Sequence, residues 1–117
     1  MRERDIQAKV VGYARAKGAL ARKLDFGMGW PDFLFLHAGK VLFVEFKTPE
    51  GRLSAMQQHV HAQLRNSGFV VHTVRDVEAG ILLIDTFLSP HQAPSGVYCA
   101  GITKTALDHL GHQIPKL

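Results

Sequence analysis

The run Val41–Lys47, VLFVEFK, leaves a chain few places to put it. Val41, Leu42, Phe43, Val44 and Phe46 supply apolar groups to both sides of an extended segment, the pattern of a central strand covered on both faces. Successive side chains of a strand alternate, so Glu45 and Lys47 project to the same side, about 6.5 Å apart along it. A carboxylate and an ammonium at the end of a buried strand are costly unless they pair or bind an ion. The strand therefore anchors an α/β core and marks a candidate site at its end.

The flanking sequence fits elements around it. Ile6, Val10, Tyr13 and Ala14 recur at helical spacing between about Glu3 and Lys17, and Gly18 stops that helix. Ala19–Phe26 reads as a short strand. Gly27–Pro31, GMGWP, is a loop that delivers Asp32, and Phe33–Leu36 pairs with the Val41 strand as a hairpin across His37-Ala38-Gly39-Lys40. Ser54 and Gln57 have capping-box spacing ahead of Met56, Val60 and Leu64, and Asn66-Ser67-Gly68 ends that second helix. Phe69–Val74 is β-branched and aromatic, hence a strand, and Asp76 caps a last core helix carrying Val77, Ile81, Leu82, Ile84 and Leu88. A helix between the Val41 and Phe69 strands permits a right-handed crossover, so the central sheet is expected to be mixed, in the order αβββαβ with C-terminal helices.

One domain is all that 117 residues allow. We expect it to span residues 1–88, with residues 89–117 a peripheral or dimer-related extension that opens on the linker SPHQAPSG and holds a helical pattern at about Thr103–Leu110. No apolar run approaches the roughly 18 residues of a membrane span, and MRERDIQAK is too charged for a secretory signal, so a cytoplasmic protein with no membrane partner is expected. A single cysteine, Cys99, excludes an intramolecular disulfide. The net charge of +4 favours a polyanionic partner.

Asp32 and Glu45 at strand ends offer oxygen ligands to a hard divalent cation and leave positions open for a phosphate oxygen and water. Lys47 then either orients or deprotonates the attacking water or stabilises charge on the phosphorane. That is the chemistry of metal-assisted phosphodiester hydrolysis. Pro31-Asp32 followed by Glu45-Phe46-Lys47 resembles the PD-(D/E)xK nuclease signature. Glu3-x-x-Ile6-Gln7, Gly29-x-Pro31-Asp32, Glu45-Phe46-Lys47-Thr48-Pro49 and Gly51-Arg52-Leu53-Ser54-x-x-Gln57 together resemble the virus-type replication-repair nuclease (VRR-NUC) domain over roughly Glu3–Val77.

The resemblance implies a restriction-endonuclease-like core, dependence on Mg²⁺ or Mn²⁺, and cleavage of structured DNA. It implies Asp32 and Glu45 as metal ligands, the Phe46 carbonyl as a third, and Lys47 as the catalytic lysine, with Gln57 and Glu3 matching further motif positions. Small stand-alone relatives resemble homodimeric phage or bacterial proteins acting on branched DNA such as Holliday junctions, which would place this chain in a bacterial cell or phage-infected host. A non-catalytic nucleic-acid-binding module of the same fold, an accessory protein that binds no metal, and a nuclease acting on flaps, ends or RNA are the alternatives.

Several residues have a plain explanation beside the functional one. Gln57 is accounted for by the capping box, and Glu3 by the favourable field of a helix's first turn. Arg52 is either a phosphate contact or a solvated turn residue, and Trp30 either stacks on a base or packs on the core. Arg22 and Lys23, with Arg15 and Lys17, form a candidate backbone-contacting surface. His59 and His61 lie about 200° apart on a helix and cannot converge on one ion, and Cys99 with His109 and His112 is a poor zinc pattern.

Overall fold

The computed structural model describes residues 1–90. The linker beyond Pro90, the Thr103–Leu110 pattern, Cys99, His109 and His112 lie outside the described residues. The elements run α1 (Glu3–Ala16), β1 (Leu20–Lys23), β2 (Phe33–His37), β3 (Lys40–Phe46), α2 (Ala55–Asn66), β4 (Val70–Val74) and α3 (Val77–Leu88). The four strands lie in the order β1-β2-β3-β4. The first three form an antiparallel meander, and β4 joins β3 in parallel after the α2 crossover. The expected mixed α/β sheet flanked by helices is the one observed.

Each sheet face has its own core. Leu42, Val44 and Phe46 of β3, with Phe33, Phe35 and Val74, pack under Ile6, Val10, Val11 and Ala14 of α1 and Ile84 and Phe87 of α3. Phe43 and Val71 pack under Val60 and Leu64 of α2, bordered by Leu24, Trp30, Leu34, Val41 and Phe69. The β3 run is thus apolar on both sides because helices cover both sides. Lys40, at its start, is buried by reaching the Ser89 carbonyl at 2.9 Å.

Three details differ from the periodicity. Val11 is buried and Tyr13 only half-buried, with the Tyr13 hydroxyl donating to Asp85 across to α3 at 2.5 Å. In α2 the buried stripe is Val60, His61 and Leu64, while Met56 is 45% exposed. In α3 Phe87 takes the core position and Leu82 is 68% exposed. Each helix is rotated slightly from its best apolar stripe because the sheet, not the helix, sets which face is covered.

The hairpin turn fixes the register that matters. Strand β2 ends at His37 and β3 begins at Lys40, with Ala38 and Gly39 at φ of 50° and 79°. Positive φ at both central residues is the type I′ geometry that matches the strand twist. With His37 opposite Lys40, Phe33 falls opposite Val44. One residue further on, Asp32 falls opposite Glu45, on the face covered by α2.

Candidate active site

Asp32 reaches its position through two constraints on the loop before it. Gly29 has a φ of 86°, and a Cβ there would stand 2.6 Å from the Met56 carbonyl oxygen and 2.8 Å from Val60 Cγ2, so the loop rests directly on the first turns of α2. The Leu24 N–H donates to the Asp32 carbonyl at 2.8 Å, extending the β1–β2 pairing by one step. Asp32 Oδ2 then accepts from the Phe46 N–H at 2.8 Å. The carboxylate is thereby fixed against the backbone of the residue between Glu45 and Lys47.

Glu45 is 2% exposed, and its Oε1 has no hydrogen-bond partner. Its pKa is pushed up to about 8, first by burial and then by the like charge of Asp32 and a hydrogen bond between the two carboxyls; Lys47 pulls it down and Glu3 raises it further. Two carboxyls crowded in this way do not both ionise readily. Lys47 is half-buried just past β3, where its N–H continues the parallel ladder by donating to the Val74 carbonyl at 2.9 Å. The Phe46 side chain is committed to the core, edge-on to Phe33, which leaves only its backbone to the site.

Asp32, Glu45, Lys47 and Glu3 therefore meet electrically at one end of the sheet. Gln57 is half-buried in the full capping box: its Oε1 accepts from the Ser54 N–H at 2.8 Å, and its own N–H donates to Ser54 Oγ. Its amide NH₂ is the group left to point elsewhere. Trp30 sits edge-on to Phe26 and tilted over Phe43, with centroids 5.1 and 6.3 Å away, so its ring is packed on the α2-side core. Arg52 is exposed in the β3–α2 loop. Arg22 and Lys23 are exposed on β1 but alternate: Arg22 pairs with Leu34 on the α2 face, and Lys23 with Phe33 on the other.

Two residues here were not singled out by sequence reasoning as part of the site. Arg75 follows β4 and donates to the Thr48 carbonyl at 3.1 Å and to the Gly51 carbonyl, clamping the turn that follows Lys47. His61 is fully buried on α2, with Nε2 3.6 Å from Glu45 Oε1. Burial, then the like charge of Arg65, holds its pKa below the ordinary range. The divergence of His59 and His61 stands, since His59 is exposed. The overlooked signal was that His61 follows Gln57 by four residues and so shares its side of the helix.

Among the described residues no three His, Cys, Asp or Glu side chains cluster as a closed metal site, and no helix is long and apolar enough to cross a membrane. Two surface depressions lie elsewhere, one lined by Met1, Ile6, Arg75 and Val77 and the other along the β2–β3 turn.

The family model for the VRR-NUC domain matches residues 5–77. A solved structure described as a VRR-NUC domain superposes with a TM-score of 0.65 at 30% sequence identity, covering 71% of this chain and 94% of the other. No curated protein matches.

Proposed function

The chain belongs to the VRR-NUC domain family, whose members are nuclease-type domains acting on DNA, and from that premise we propose that it is a Mg²⁺- or Mn²⁺-dependent endonuclease cutting branched DNA. The observation that carries the site assignment is the pairing of Asp32, fixed by the Phe46 N–H, with a buried Glu45 whose Oε1 is unpartnered, burial and the like charge of Asp32 pushing its pKa up to about 8. Such a pair is poised to exchange a proton for a cation. Two carboxylates and the Phe46 carbonyl would hold it, an incomplete donor set of the kind Mg²⁺ takes while keeping water and phosphate as its other ligands. Bound there, the cation supplies Lewis-acid stabilisation of the phosphate and a more acidic water.

The chain's own groups do the rest. Asp32, fixed by the Phe46 N–H, and Glu45 orient the site. The Lys47 charge, felt at Glu45 across the site, offsets the negative charge that builds on the phosphate as the water attacks in line. Glu3 orients the water, and the Gln57 amide donates to a phosphate oxygen. Arg52 and Arg22, exposed in the β3–α2 loop and on the α2 face of β1, contribute backbone contacts, whereas Lys23 projects from the opposite face and the Trp30 ring is packed on the core. A homodimer would present two such sites to the two strands of a four-way junction, and sedimentation equilibrium reads that state directly.

Cleavage of labelled linear, flap and four-way-junction DNA with Mg²⁺, Mn²⁺ or EDTA, wild type beside Glu45→Ala, tests the proposal. Metal-dependent cutting of the junction, lost in the variant, is the expected result. Binding without cutting, equal in both proteins, would return the chain to the non-catalytic alternative, and preference for linear ends or flaps would replace the branched substrate.

A further inference from the structure

Three buried polar atoms among the described residues have no hydrogen-bond partner, namely Glu45 Oε1 and both ring nitrogens of His61. Two of them face each other: His61 Nε2 is 3.6 Å from Glu45 Oε1, and the side chains are 0% and 2% exposed. Buried donors and acceptors left unmade are costly enough to demand an explanation. Here the explanation is their mutual approach, only slightly beyond hydrogen-bond length.

A neutral imidazole carries one N–H and one lone pair, and both ring nitrogens of His61 are buried with no other partner. With its hydrogen on Nε2 the ring donates to Glu45. Once a cation has displaced the Glu45 proton, a hydrogen on Nδ1 would set the Nε2 lone pair against the oxygen of an ionised carboxylate, which repels. The helix that presents His61 is the one capped by Ser54 and Gln57, and Gly29 seats the Asp32 loop on that same helix. One element thus bears on both carboxylates.

We propose that His61 is a positioning residue of the acidic site, its Nε2–H holding Glu45 Oε1 and so turning the other carboxylate oxygen toward Asp32. The role rests on the metal-centre reading given above. His61 touches neither the cation nor the DNA; it restricts the rotation of a ligand from behind, as hydrogen bonds to ligating carboxylates do in metal sites generally.

Calorimetric titration of the full chain with Mn²⁺ tests it, using wild type, His61→Leu, His61→Gln and Asp32→Ala. Leucine keeps the volume and removes both nitrogens, whereas glutamine returns an N–H close to the place of Nε2. His61→Leu is expected to weaken Mn²⁺ binding about 10–100-fold, with His61→Gln recovering most of the loss. Wild-type affinity in His61→Leu, or no recovery in His61→Gln, overturns the role. If His61→Leu does not fold, the imidazole ¹⁵N spectrum of the wild-type protein with Mg²⁺ decides: a hydrogen on Nε2 is expected, and one on Nδ1 overturns the proposal. Equal Mn²⁺ affinity in wild type and Asp32→Ala is a separate result that removes the metal centre itself, and this role with it.

Discussion

Glu45 is the residue on which the site turns, and its environment makes a pH-dependent prediction. In the unfolded chain its carboxyl titrates near 4.5, whereas in the fold it is pushed up to about 8. Between those values the native protein holds a proton that the unfolded chain has released, so this residue's contribution to the stability of the metal-free protein is full below about 4.5 and is lost as pH rises toward 8. Thermal melts in EDTA should show Tm falling across that window, with the slope reduced in Glu45→Gln and the wild-type loss reversed by Mg²⁺ or Mn²⁺. Lys47 offers a second test at the same scale. Lys47→Arg keeps the charge that opposes the Glu45 shift, and Lys47→Met removes it. If charge is its contribution, single-turnover cleavage should fall about 10²–10³-fold in Lys47→Met and distinctly less in Lys47→Arg. Equal loss in both would assign Lys47 to proton transfer, which arginine cannot perform.

Between elements, the site depends on two short connections. The Ala38-Gly39 turn sets the β2–β3 register and so determines which residue stands across from Glu45. Ala38 is in the left-handed region, where a Cβ costs about 1–2 kcal/mol and Asn is better tolerated. Ala38→Asn should therefore stabilise the protein by about 0.5–1 kcal/mol in urea melts without changing cleavage. The loop ahead of Asp32 behaves in the opposite sense. Gly29 has no room for a side chain against Met56 and Val60, and its backbone is left-handed as well. Gly29→Ala should cost about 2–3 kcal/mol. Because the loop must lift from α2, Asp32 moves with it, and cleavage should fall further than loss of folded protein explains.

Across the whole molecule, charge governs the encounter with DNA. A chain of net charge +4 binding a polyanion releases counterions, so affinity measured with the inactive Glu45→Gln protein should fall steeply between 50 and 200 mM salt. The two faces of the sheet make that measurement informative. Arg22 shares the α2 face with Glu45, whereas Lys23 projects from the opposite face. DNA lying on the α2 face predicts that Arg22→Ala lowers the log–log salt slope by about 0.9 while Lys23→Ala leaves it unchanged. A loss in both would mean that the duplex wraps the β1 edge.

The fold class was legible in the sequence because its signals are local. Two-sided apolarity in Val41–Phe46, capping residues at Ser54 and Asp76, and a glycine-containing turn each follow from a few adjacent side chains and backbone preferences. The motif positions from Glu3 to Gln57 were legible for the same reason, and the family model, over residues 5–77, covers all of them but the first-helix Glu3. The facing of Asp32 and Glu45 came with the register of the two-residue Ala38-Gly39 turn, where the sequence marked the wider span His37–Lys40. Only tertiary structure decided which side of each helix was covered, burying Phe87 and exposing Leu82 and Met56, because that follows from how the helices lie on the sheet. It alone also brought Arg75 under the turn after Lys47 and His61 against Glu45. Those contacts join α2 and β4 to the end of β3 across 16 to 27 residues of chain, where charge and burial interact through space and periodicity carries no record of them.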